Sequence, residues 1–215
     1  MIVVFTGNGK GKTTASLGQV FRVLGHNKPV LMIQFIKGPW ISGEDLLVKK
    51  LNVQSKNLLA QGVAPDEIFK GGSASASGEQ GKWTMGNDSA SLEALYNFEI
   101  RKMGKGFVGI LGDSLPREEH EKAAQDALDM FVEEKKSGKW HMIVLDEINV
   151  ALSLNLLKPE NVLEAVRDFP EDNILVMTGR GAAQEIIDVA DLATEMREIK
   201  HPFNDDRWAK KTIEF

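Results

Sequence analysis

The sequence contains no cysteine. That absence excludes a disulfide scaffold, a thiolate zinc site and a cysteine nucleophile together, and it fits a reducing compartment. Long apolar runs are missing too. The longest, such as Met1 to Phe5, reach about five residues, where a bilayer-crossing helix needs roughly eighteen or more, so no membrane protein is expected. The first residues lack a basic stretch, an apolar stretch and a small-residue cleavage site in that order, so no export signal is expected and a cytoplasmic location is. Nor is there an excess of basic charge: 26 Lys and Arg against 31 Asp and Glu leave −5, which argues against a general nucleic-acid surface.

What is present is the profile of one globular α/β domain. The 215 residues are 42% apolar and 27% charged, enough to bury a proper core. The charge is unevenly placed. Residues 1–50 carry seven Lys or Arg against Glu44 and Asp45, a local +5, which leaves −10 for the rest. A small anionic ligand near the N-terminus follows from that asymmetry.

Along the chain, short apolar runs alternate with helical patterns. Strands are expected at Met1 to Phe5, Val30 to Ile36, Trp140 to Leu145, Ile174 to Thr178 and Leu192 to Ile199. Helices are expected at Thr13 to Leu24, with Gly25 as the stop, at Pro116 to Lys136, at Pro159 to Arg167 and at Ala182 to Ala190. This alternation predicts an α/β fold, doubly wound, with a mostly parallel sheet and helices on both faces. Residues 52–98 break the pattern. Within them Gly71 to Ser91 has 13 Gly, Ser or Ala in 21 positions, too few apolar groups to offset its ordering entropy, so a flexible insertion in a single domain of residues 1–215 is expected.

The strongest chemical signal is Thr6-Gly7-Asn8-Gly9-Lys10-Gly11-Lys12-Thr13-Thr14, between a predicted strand and a predicted helix. Glycines let the backbone curl so that successive N–H groups face one anion, and the helix N-terminus adds partial positive charge. Lys12 would reach the outer phosphates and Thr13 would hold magnesium. The usual pattern has Gly six positions before this Lys, where this chain has Thr6. Asp146 and Glu147 end an apolar strand on the same edge of such a sheet, where carboxylates can hold Mg2+ directly or through water. Arg180, in Thr178-Gly179-Arg180-Gly181, is placed to touch a triphosphate. These residues define a magnesium-dependent nucleotide triphosphate site and no reaction: an ATPase, a kinase, a nucleotide switch and an adenosyl or phosphoryl transferase all remain.

The motifs in order go further. TGNGKGKTT, then Met32 to Gly38 with Trp40, Gly43 and Glu44, MGKGF at Met103 to Phe107, VLDEIN at Val144 to Asn149, TGRGA at Thr178 to Ala182 and KHPF at Lys200 to Phe203 closely resemble the P-loop ATP:corrinoid adenosyltransferase family. The resemblance covers residues 1–50 and about 101–215. It implies a P-loop NTPase-like (RecA-like) fold and transfer of the 5′-deoxyadenosyl group of ATP to the cobalt of a reduced corrinoid, cobalamin or cobinamide, with release of triphosphate. The cob(I) corrinoid is then the nucleophile, which accounts for the absence of a protein nucleophile. The resemblance also implies Asn8 near the ribose, a reduced flavoprotein electron donor, a homodimer, and Phe107 as the aromatic residue that displaces the lower axial ligand of cobalt. Three departures stand out: Gly109 occupies the place of a family tryptophan, with Trp40 and Trp83 as substitutes to consider; the inserted segment joins on just before the MGKGF loop; and no residues precede the first strand, where some members carry a helix.

Overall fold

The computed structural model describes residues 1–38, 40–50, 98–110 and 112–201. In chain order the elements are β1 (Ile2–Thr6), α1 (Lys12–Gly25), β2 (Val30–Gln34), β3 (Phe98–Lys102), α2 (Arg117–Ser137), β4 (Met142–Asp146), α3 (Ile148–Ser153), α4 (Pro159–Val166), β5 (Ile174–Thr178), α5 (Gln184–Asp188) and β6 (Leu192–Glu195). Residues 43–50 are also helical. Among the described residues six strands form one sheet in the order β3-β2-β4-β5-β1-β6, and every pairing between them is parallel.

The apolar strands are continuous runs because both sheet faces are covered. Side chains alternate between the faces with period two. Val4, Leu31, Ile33, Ile143, Leu145, Leu175 and Met177 join one core cluster, while Val3, Phe5, Val30, Met32, Met142, Val144 and Val176 join the other. The first cluster is closed by Ala124 and Phe131 of α2, Ile148 of α3, Val162 of α4 and Ile186 of α5. The second is closed by Val20, Val23 and Leu24 of α1, with Val48 of the 43–50 helix against it. Each fully buried large side chain here is worth about 2 kcal/mol of transfer free energy, and Phe131 and Leu31 are both fully buried.

Helix ends follow local chemistry. Pro159 opens α4, where its missing N–H has no intrahelical partner to lose. Gly138 closes α2 at φ 66°, a left-handed conformation that costs glycine little. The doubly wound α/β class expected from the sequence is the one observed.

Several boundaries differ from expectation. β3 begins at Phe98, which is buried, so the chain rejoins the sheet where an excursion was expected to end. Its sequence FEIRK alternates charged with apolar residues, as an edge strand does, and lacks the continuous apolar run of its neighbours. α3, only six residues long, also escaped the periodicity reading. The last strand stops at Glu195 rather than Ile199, and the α5 helix is shorter than expected at both ends. The Gly, Ser and Ala-rich stretch 71–91 and Trp83 lie outside the described residues.

Candidate functional site

In a parallel sheet the carboxyl ends of the strands share one edge, and ligands meet the fold there. Here β1, β5 and β4 are neighbours in that order, so Thr6, Thr178 and Asp146 end side by side.

The phosphate loop leaves β1 and runs into α1. Gly7 and Gly11 stand at φ 95° and 114°, where a side chain would strain the backbone. Gly9 is required by contact instead: a Cβ there would stand 2.7 Å from the backbone of Met196 and Arg197. The Gly9 N–H donates to the Met196 carbonyl at 2.6 Å, and the Met196 N–H donates to the Thr6 carbonyl at 2.8 Å. The segment after β6 is thus the outer wall of the loop, a role with no local signal in the sequence. Lys12, 7% exposed, donates from Nζ to the carbonyls of Gly7 (2.9 Å) and Gly9 (2.8 Å) and so closes the curl. Burial, with the nearby charges of Arg180 and Lys10, holds its ammonium below the usual lysine range against the pull of Glu147 and Asp146.

Asp146, fully buried, gathers three donors. Its Oδ1 accepts from the hydroxyls of Thr13 (2.9 Å) and Thr178 (2.8 Å), and its Oδ2 accepts from the Gln34 amide at 3.1 Å. The Thr178 hydroxyl in turn accepts the Glu147 N–H at 3.0 Å. Glu147 sits at φ 63°, a left-handed conformation rare for a side-chain-bearing residue. Its Oε2 is buried without a hydrogen-bond partner. Burial first, and then the charge of Asp146, push its carboxyl up to about 7 despite Lys12, Arg180 and Lys37.

A buried, unpartnered carboxylate oxygen beside a threonine hydroxyl and a second carboxylate fits a divalent cation of the magnesium type. Thr13, Asp146 and Glu147 offer only hard oxygen atoms, and Mg2+ completes such partial sets with water and phosphate oxygens. Among the described residues no group of three or more His, Cys, Asp or Glu is arranged to hold a metal by itself, so an ion here would arrive with the triphosphate.

The residues expected from sequence therefore divide. Lys12, Thr13, Asp146 and Glu147 form one cluster, and Arg180 is exposed but close enough to bias the charge of both Lys12 and Glu147. Asn8, Lys10 and Thr14 are exposed along the loop. Phe107 belongs to a second region, beyond β3. There Met103 and Gly104 donate to the Gln34 carbonyl at 3.0 and 3.1 Å, and Gly106 donates to the Ile36 carbonyl at 3.0 Å, fastening the loop to the end of β2. Phe107 is 45% exposed and Trp40 63%, and their ring centroids lie 5.9 Å apart at 37°. Position 109 stands at φ 69° with open space around it, so a tryptophan there would need a left-handed backbone. Asp113 braces this loop by accepting the N–H groups of Gly109 (2.8 Å) and Leu115 (3.1 Å) and by pairing with buried His120 at 3.0 Å. The two backbone N–H groups are the main reason its carboxyl lies below the usual range. Sequence reasoning passed over Gln34 and Thr178, although both lie inside motifs it had marked.

Proteins of known family resemble this chain along its whole length. The family model described as ATP:corrinoid adenosyltransferase BtuR/CobO/CobP matches residues 1–77 and 78–215. A protein of Salmonella typhimurium named corrinoid adenosyltransferase CobA is 31% identical over 215 residues, covering 100% of this chain and 85% of that protein. A corrinoid adenosyltransferase of Escherichia coli K12 is 29% identical over 204 residues, 95% of this chain and 80% of that one. Among the described residues no helix is long and apolar enough to cross a membrane. With the family model running through both the phosphate loop and the strand that carries Asp146 and Glu147, the chain belongs to the ATP:corrinoid adenosyltransferase family.

Proposed function

We propose that the chain lays ATP along residues 6–14 and presents C5′ of its ribose to the cobalt of a reduced corrinoid. The electron pair of cob(I) forms the cobalt–carbon bond. The C5′–oxygen bond breaks, and its electron pair leaves with triphosphate, so the substrates supply both nucleophile and leaving group. The protein's work is then to align the two and to stabilise charge on the leaving group. The observation that carries this reading is the cluster of buried Lys12 and Asp146 with half-buried Thr13 and Glu147 at the carboxyl edge of the sheet.

Lys12 exchanges its Gly7 and Gly9 carbonyls for phosphate oxygens, and the loop N–H groups and Arg180 add further positive potential. Thr13 and Glu147 would hold Mg2+, with Asp146 accepting the Thr13 hydroxyl and so fixing its orientation. When bound, Mg2+ neutralises part of the triphosphate charge. Asn8 lies along the ribose. Phe107, with Trp40 in place of an aromatic residue at 109, meets the lower face of the corrinoid and removes its axial ligand, which favours reduction of cob(II). Cobalamin or cobinamide as acceptor, a reduced flavoprotein as electron donor, a homodimer and the cytoplasm complete the proposal.

The test is anaerobic. Purified protein, magnesium-ATP and chemically reduced cob(I)alamin or cobinamide are followed by visible absorbance, then exposed to light and assayed for phosphate products. A photolabile alkylcobalt spectrum with one triphosphate per cobalt is expected. Formation of ADP without a spectral change would replace this reading with ATPase or kinase chemistry, and intact ATP with both acceptors would reduce the chain to a nucleotide-binding switch.

A further inference from the structure

We propose that Thr178 is a positioning residue that locks the phosphate loop and Glu147 into one unit, so that the metal is held at full affinity only while its hydroxyl is present. The proposal rests on the metal reading above.

Strand order supplies the first argument. β5 lies between β1, which launches the phosphate loop, and β4, which ends in Asp146. The two halves of the site therefore have no backbone pairing with each other: the Thr13–Asp146 hydrogen bond joins them directly, and the end of β5, lying between them, is where a second link can form. Thr178 is the last residue of that strand and is fully buried.

Hydrogen bonding supplies the second. The hydroxyl of Thr178 donates to Asp146 Oδ1, the same oxygen that accepts the Thr13 hydroxyl at the head of α1. It also accepts the backbone N–H of Glu147. One oxygen of Asp146 thus joins the loop to β5, and one oxygen of Thr178 joins β5 to Glu147. A side chain that can both donate and accept is needed, which a hydroxyl provides and a methyl group does not.

The third argument is the backbone of Glu147. At φ 63° it pays a steric penalty of about 1 kcal/mol or more, and the bond to Thr178 fixes its N–H in that conformation. The conformation is also clamped from the β5 side. A Cβ at Gly179 would stand 2.8 Å from the Val150 N and 3.0 Å from the Asn149 Cβ, so the turn after Thr178 presses directly on the start of α3. The Thr178 hydroxyl thus holds the backbone of the residue that carries the unpartnered Glu147 oxygen.

A merely structural role would lower stability when Thr178 is changed and leave metal dependence alone. The experiment is calorimetric titration of the full chain with ATP across a MgCl2 series and in EDTA, on the wild type, Thr178→Val, Thr178→Ser and the destabilising control Val176→Ala. Removing an outer-shell partner of metal ligands typically costs about tenfold to a hundredfold in metal affinity. Thr178→Val is therefore expected to raise the Mg2+ concentration for half-maximal ATP affinity about tenfold or more. Thr178→Ser should return it to within about threefold, and Val176→Ala should leave it within about twofold. If Thr178→Val does not fold, Thr178→Cys, close in size and poor in hydrogen bonding, takes its place with the same expectation. A wild type whose ATP affinity ignores Mg2+ would end the metal reading itself. A magnesium-dependent wild type with an unshifted Thr178→Val would overturn the assignment of Thr178, as would a shift of equal size in Val176→Ala.

Discussion

The two regions at the carboxyl edge of the sheet are built on opposite principles. At the ends of β1, β5 and β4 the functional groups are buried and bonded to one another: Asp146 and Thr178 are fully buried and Lys12 nearly so. Beyond β2 and β3, Trp40 and Phe107 stand 63% and 45% exposed, and the loop that carries Phe107 is fastened by its backbone rather than by its side chains. On the function proposed above, the difference matches two demands. A triphosphate is small, highly charged and always the same, so donors fixed beforehand in a region of low dielectric act on it most strongly. A corrinoid is broad and largely apolar on its faces, and an open aromatic surface can take it without burying any charge.

Three experiments press on this contrast. Lys12→Ala should have the largest effect, a loss of roughly a hundredfold to a thousandfold in adenosyl transfer, read by single-turnover absorbance with prereduced corrinoid. Far-UV dichroism should show the fold intact. A loss below about tenfold would mean that the ammonium serves only to close the loop.

Glu147→Gln comes next, with a rate lowered by about two orders of magnitude and a weakened response to Mg2+, checked by titrating MgCl2 at saturating ATP. The same residue makes a prediction about pH. Its folded-state pKa of about 7 lies above its ordinary value of 4.5, so between those values the folded chain binds the extra proton more tightly than the unfolded one. In EDTA, stability should therefore fall as pH rises from about 4.5 to about 7 and then level off, a loss of about 3 kcal/mol at most. Thermal melts of the wild type should show that fall, and Glu147→Gln should flatten it.

The open region should respond more gently and more selectively. Phe107→Ala and Trp40→Ala should each slow the reaction that starts from cob(II)alamin by about fivefold while sparing the prereduced reaction, since an aromatic contact is worth about 1 kcal/mol. Equal losses in both reactions would assign the pair to binding alone and erase the distinction between the regions' roles.

The legibility of these regions in the sequence follows from the same contrast. Lys12 and Thr13 can be read at once because the loop is contiguous and its chemistry is local. Asp146 and Glu147 can be read because one ends an apolar strand and the other follows it directly. Thr178 and Gln34 sit in equally recognisable strands, but their partners are set by strand order, with β5 between β1 and β4, and no local pattern encodes that order. β3 was hidden by its charged alternation, and the nearness of Trp40 to Phe107 depends on how β2 and β3 pair. The fold class needed only periodicity. The coupling inside the site needed the topology.

The wall that Met196 and Arg197 form against Gly9 has a consequence for the birth of the protein. Both neighbours of β1 in the sheet, β5 and β6, come from residues 174–195, and the loop's outer contact comes just after them. Residues 2–6 must therefore wait for residues 174–195 before β1 can be paired, a long-range closure of the kind that slows folding. Affinity for nucleotide cannot emerge part way through synthesis. It waits for the wall to close over the loop, making ATP capture a report that the chain through residue 197 has been made and folded back.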